Sequence, residues 1–130
     1  TRPELFTPRT LRANYDYYLP RTEHGSSLSA CMYALAACRA GRPEEAYPLF
    51  LKSARADLAG GGKQWAGLVY IGGTHPAAAG GAYMTLLWGF LGLHIDESGV
   101  TLAPRLPKGW LGVRMNVCFR GENRELRISG

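Results

Sequence analysis

The segment from Tyr15 to Ser29 (Tyr-Asp-Tyr-Tyr-Leu-Pro-Arg-Thr-Glu-His-Gly-Ser-Ser-Leu-Ser) sets aromatics, a His, a Gly and a Ser pair directly ahead of an apolar helical pattern. Free backbone amides and the positive end of the helix dipole both favour negative charge at such a helix start. A second junction, Gly72-Gly73-Thr74-His75-Pro76, opens another long apolar helix. Two helix starts of this kind in one short chain predict N-termini that converge on a phosphate.

A length of 130 residues fits one domain or part of a larger one. The apolar fraction of 46% suffices for a core, whereas charged residues reach only 19%. Helices so sparsely charged predict flanks that meet neighbours, and a homo-oligomer is one way to cover them. No uninterrupted run of about 18 apolar residues occurs, so no membrane span is predicted. The chain has no initiator Met and no charged-then-apolar leader, so Thr1 is expected to follow a cut or to lie within a longer protein.

The net charge of +5 comes from scattered arginines, without the basic runs and interleaved aromatics of a nucleic-acid surface. It reads as solvated charge, and no nucleic-acid partner is expected. Cys31, Cys38 and Cys118 contain no CxxC pair, and reduced, core-facing thiols in a cytoplasmic protein are expected. No metal is expected either, because no His, Cys or carboxylate positions have ligand spacing.

Thr7-Pro8 predicts a helix from about Pro8 to Tyr17, ended by Leu19-Pro20. Leu28, Cys31, Met32, Leu35 and Cys38 predict a second helix, Ser27 to Ala40, stopped by Gly41. Pro43-Glu44-Glu45 starts a third, distorted or late-starting because of Pro48, and the two form an αα-hairpin. Lys63 to Gly73 is ambiguous between strand and glycine-rich loop, and a long helix is expected from Pro76 to Leu93. His94 would lie at its C-terminus. Val100 to Leu102 reads as a strand, and Leu111 to Phe119 alternates, with Gly121-Glu122-Asn123 turning it toward Glu125 to Ser129. The predicted fold is mainly α with a small C-terminal β element, helical over 1–97 and β over 98–130.

Ser26, Ser27 and Ser29 could each be helix caps and nothing more. His24 and Gly25 ahead of them turn the cluster into a candidate pocket, with Gly25 letting backbone approach a ligand. His75 could equally cap a helix or hold a phosphate as a hydrogen-bond donor. Glu23 and Asp16 are candidate acids, as glycoside chemistry requires. Glu44, Glu45 and Asp57 read as helix-face residues.

Asn14 through Ser29, and Gly73-Thr74-His75-Pro76-Ala77-Ala78-Ala79-Gly80-Gly81, resemble glycoside hydrolase family 65, the maltose, trehalose, kojibiose and nigerose phosphorylases and their relatives. Leu102-Ala103-Pro104-Arg105-Leu106-Pro107-Lys108-Gly109-Trp110 is similar to that family's entry into its C-terminal β domain. The resemblance implies the last helices of an (α/α)6 barrel followed by the start of a β-sandwich domain. It implies phosphate binding by Ser26, Ser27 and His75, with Glu23, His24, Gly25 and Thr74 as further pocket candidates. Inorganic phosphate would be the co-substrate, with no cofactor, and an α-linked glucose disaccharide the partner. Phosphate would displace the acceptor sugar with inversion, giving β-glucose 1-phosphate. The resemblance places the general-acid Glu upstream, so no catalytic residue is expected in this chain, and the fragment alone should be inactive without the remainder of the barrel. A hydrolase of the same family and a non-catalytic helical interaction module are the alternatives.

Overall fold

In the computed structural model, which describes residues 5–58, 64–66, 69–71 and 74–130, the Thr7 hydroxyl accepts from the Thr10 amide at 3.2 Å. Pro8 supplies the preset φ of a first helical residue, and α1 runs Pro8–Tyr18 into a 3-10 turn, Leu19–Arg21. Helix α2 spans Ser27–Arg39 and α3 spans Pro43–Ala54. Between them Gly41 takes φ 79°, Gly41 N–H donates to Cys38 O and Arg42 N–H to Ala37 O. That is a Schellman ending, and it folds α3 back on α2 as the sequence predicts. Pro48 does not delay α3. Pro48 and Glu44 are both exposed, so water can take the carbonyl that the proline leaves without a donor.

Strands β1 (Gln64–Ala66) and β2 (Val69–Ile71) pair antiparallel, so part of the ambiguous glycine-rich stretch is a hairpin. The glycines at 60–62 and at 72–73 lie outside the described residues. Helix α4 covers Pro76–Met84 and widens into a π-helical segment, Thr85–Phe90. The expected long helix is thus one continuous helical run from Pro76 to Phe90, π-helical in its second part and ending three residues before Leu93. Leu91 N–H reaches Leu86 O at 3.0 Å, five residues back. The widening begins where the buried Thr85 hydroxyl lies 2.9 Å from the Gly81 carbonyl and 3.0 Å from the Cys31 carbonyl of α2.

His94 opens β3 (His94–Asp96), which pairs with β4 (Gly99–Thr101), instead of ending a helix. Strands β5 (Gly112–Phe119) and β6 (Glu122–Ser129) form the long hairpin. Its turn is only Arg120-Gly121, at φ 51° and 80°, so Glu122 and Asn123 belong to the strand. Val113, Met115, Val117 and Phe119 share the half-buried face, while Cys118 is exposed rather than core-facing.

Two apolar clusters hold the parts together. Ala34, Ala37, Cys38, Ala46 and Phe90 form one, onto which Trp110 packs. The Trp110 ring lies 5.1 Å from Phe90 and 5.7 Å, edge-on, from Tyr47. Leu87, Leu91 and Leu93 form the other, covered by Val113, Met115, Leu126 and Ile128 of the hairpin. A lone hairpin is marginal in water, and this one is stabilised by that helical surface. Arg105 N–H on Phe90 O and Lys108 N–H on Glu44 Oε1, both 2.7 Å, tie the intervening loop to the helices.

Candidate anion site at two helix starts

Helix α2 and the continuous run of α4 and its π-helical segment are parallel and in register. A Cβ on Gly81 would lie 2.2 Å from Cys31 Sγ, and one on Gly89 would lie 3.1 Å from Cys38 Sγ. Glycine is what lets the two backbones meet there. The offsets are nearly equal, 81 − 31 = 50 and 89 − 38 = 51, so the contact keeps pace along both chains. Carried back five residues from Gly81 and Cys31, the same register sets Pro76 level with Ser26, about 7.5 Å along the axis. Both N-termini thus open at one end of the bundle. The end of α3 and the turn after it touch each of them: Ser53 Oγ donates to Ser27 O at 3.4 Å, and Asp57 holds His75.

At the first start, Ser26 is the N-cap, its Oγ accepting from Leu28 N–H at 3.2 Å, and Ser27 is the first helical residue. Ser29 is not a cap: its hydroxyl meets His24 Nδ1 at 2.7 Å. His24 Nε2 lies 3.1 Å from Leu19 O, and a carbonyl only accepts, so Nε2 carries a proton and donates there, while Nδ1 shares its hydrogen bond with the Ser29 hydroxyl. Tyr33 meets the imidazole edge-on at 4.7 Å and also binds the Thr22 hydroxyl. With both nitrogens engaged, His24 braces the loop and offers no ring nitrogen to a ligand. Its φ of 54° lies in the left-handed region, uncommon for a non-glycine residue. Lys52 Nζ donates to its carbonyl at 3.5 Å, bringing a cation to this loop. Glu23 is exposed, and a Cβ on Gly25 would meet its Oε1 at an ordinary 3.7 Å.

At the second start, Thr74 is exposed and His75 is the N-cap, but its side chain makes no cap bond. It turns instead to Asp57. Asp57 Oδ2 accepts from the His75 backbone N–H and Oδ1 from Nδ1, both at 2.7 Å. These bonds hold the Asp57 carboxyl below the usual carboxylate range. Asp57 is therefore no helix-face residue, since α3 ends at Ala54 and Asp57 lies in the turn beyond. The 18-residue separation between the partners concealed the pair in the sequence.

The other candidate acid stands apart. Asp16 forms an ion pair with Arg42 at 2.6 Å, beyond the C-terminus of α2. Ser26 precedes the other end of that 13-residue helix, about 20 Å away along its axis. Burial pushes the Cys38 thiol up to about 12, so it stays protonated and apolar in character. No group of three or more His, Cys, Asp and Glu suited to a metal occurs among the described residues. No helix there is long and apolar enough to cross a membrane.

The glycosyl hydrolase family 65 central catalytic domain matches residues 2–84, and the C-terminal domain of that family matches residues 93–130. A nigerose phosphorylase of Lachnoclostridium phytofermentans is 55% identical over 126 residues, 97% of this chain and 17% of that protein. A 1,2-alpha-glucosylglycerol phosphorylase of Bacillus selenitireducens is 37% identical over 98% of this chain and 17% of its own length. A solved structure described as a kojibiose phosphorylase from the human microbiome superposes with TM-score 0.76 at 28% identity, over 97% of this chain and 18% of that one. The chain thus spans about a sixth of the length of these relatives.

Proposed function

The chain belongs to glycosyl hydrolase family 65, and we propose that it is the phosphate-site portion of an inverting α-glucoside phosphorylase. Ser26, Ser27 and His75 bind inorganic phosphate, with Gly25 and Thr74 bordering the pocket and no cofactor taking part. Phosphate attacks the anomeric carbon of a glucosyl unit from the face opposite the leaving sugar. The bond to the acceptor breaks, the acceptor oxygen takes a proton from a carboxylic acid upstream of this chain, and β-glucose 1-phosphate leaves. An anionic nucleophile needs no base to activate it, so the reaction requires one acid rather than two carboxylates.

The reading is supported by the close contacts Gly81–Cys31 and Gly89–Cys38, whose shared offset points both helix starts toward one end of the bundle. The dipoles of two helix starts, two hydroxyls, an imidazole and the nearby Lys52 suit an oxyanion. A hydrolase would need a free carboxylate there to activate water; Asp57 is engaged by His75, which leaves exposed Glu23 on the His24 loop as the described carboxylate nearest that role. The fragment alone lacks the acid and much of the barrel, so turnover belongs to the full-length protein.

The test is the phosphate requirement of the full-length protein acting on α-linked glucose disaccharides. The reading expects turnover only with phosphate and a β-configured sugar phosphate by proton NMR. Release of free glucose at the same rate without phosphate would establish the hydrolase instead.

A further inference from the structure

We propose that Asp57 is a positioning residue for His75, fixing the ring so that Nε2 donates to the bound phosphate; this rests on the phosphorolysis reading above. Both carboxylate oxygens are committed to one residue, Oδ2 to the backbone N–H and Oδ1 to Nδ1, each at 2.7 Å. Two anchors on one side chain leave the imidazole little freedom to rotate. The ring is largely shielded, its side chain only 13% exposed.

A carboxylate offers only lone pairs, so Nδ1 carries a proton. Nε2 is then the ring atom left for a ligand, and it has no hydrogen-bond partner among the described residues. Between the carboxylate at Nδ1 and a phosphate at Nε2, the ring holds both protons and donates to each side. Both bonds are then charge-assisted, the stronger kind. Asp57 itself stays ionised, because its bonds to His75 hold its carboxyl below the usual range. The competing view is that Asp57 merely tethers the turn after α3 to the start of α4.

Asp57→Asn separates the two views. The amide keeps one acceptor for the His75 N–H but turns a donor toward Nδ1, so the ring loses its second proton and meets phosphate uncharged. In the full-length enzyme this should raise the KM for phosphate about tenfold, the size of one weakened charge-assisted hydrogen bond, and leave the KM for the glucoside unchanged. Asp57→Glu, which keeps the charge on a longer stem, should recover part of that loss. In a His75→Ala background, Asp57→Asn should add little, because its effect runs through the ring. A loss of equal size in that background would overturn the proposal, since a tether acts whether or not the imidazole is present. An unchanged phosphate KM in Asp57→Asn, with His75→Ala raising it, would overturn it too. If His75→Ala itself leaves the phosphate KM unmoved, the phosphorolysis reading of the site fails and takes this inference with it.

Discussion

Gly81 of α4 lies so close to Cys31 of α2 that an added methyl carbon would sit 2.2 Å from the sulfur and 2.9 Å from its Cβ. This contact, repeated at Gly89 and Cys38, holds the two helices parallel and sets both N-termini at one end. The small residues of this stretch thus have a positional role that helix propensity alone would not predict.

Gly81→Ala is therefore expected to destabilise the protein despite alanine's better helix propensity. Overpacking should cost about 1–3 kcal/mol after the helix gains are offset. Combining it with Cys31→Ala removes the sulfur and should recover part of the loss, so the two changes will not add. Denaturant midpoints of the single and double variants measure it; a stabilised Gly81→Ala would contradict the register.

His24 holds an uncommon backbone geometry through its bonds to Ser29 and Leu19 O. His24→Ala should cost about 1–3 kcal/mol by leaving the Leu19 carbonyl and Ser29 hydroxyl with poorer partners. It should also raise the KM for phosphate more than that for the glucoside, because the Ser26-Ser27 start would lose its brace. Steady-state kinetics with each substrate varied in turn checks this.

The lowered Asp57 carboxyl makes a pH prediction whose sign is fixed. In the unfolded chain it titrates near 3.9, and in the fold below that. The unfolded state then binds more protons in the window just below about 4, so stability is present above it and is lost as pH falls through the folded value. Asp57→Asn should remove this component, giving a shallower fall in urea midpoint as the pH drops below about 4. An unchanged slope would mean that the His75 bonds do not persist in solution.

Arg120 and Gly121 both take left-handed conformations in the hairpin turn. Gly121→Ala should cost about 1–2 kcal/mol, since a Cβ is disfavoured there, whereas Arg120→Asn should be neutral or stabilising in a two-residue turn of this kind. Thermal unfolding of the two variants gives the comparison, and the reverse order would contradict the turn type.

What could be read from the sequence was local. The Thr7-Pro8 start, the Gly41 stop and the alternation of Val113, Met115, Val117 and Phe119 follow from caps and periodicity, and the structure has them. What escaped depends on tertiary contact. The π-helical segment begins where Thr85 meets a carbonyl of another helix, which no window of α4 contains. Strand β3 is three exposed residues with no alternation, visible only through its pairing with β4. At the candidate site, Ser26, Ser27 and His75 are singled out by the family resemblance, since by themselves they read equally as helix caps. The roles of His24 and Asp57 do not show there: the bonds of His24 to Leu19 O and Ser29 depend on how the loop closes on itself, and Asp57 lies 18 residues from His75.

The most direct test of the shared anion pocket is a crystal structure of the full-length protein with inorganic phosphate. The account predicts one phosphate within hydrogen-bond distance of both the Ser26-Ser27 start and His75 Nε2, with Asp57 still on Nδ1. A phosphate bound elsewhere, or the two helix starts too far apart to share one, would contradict it.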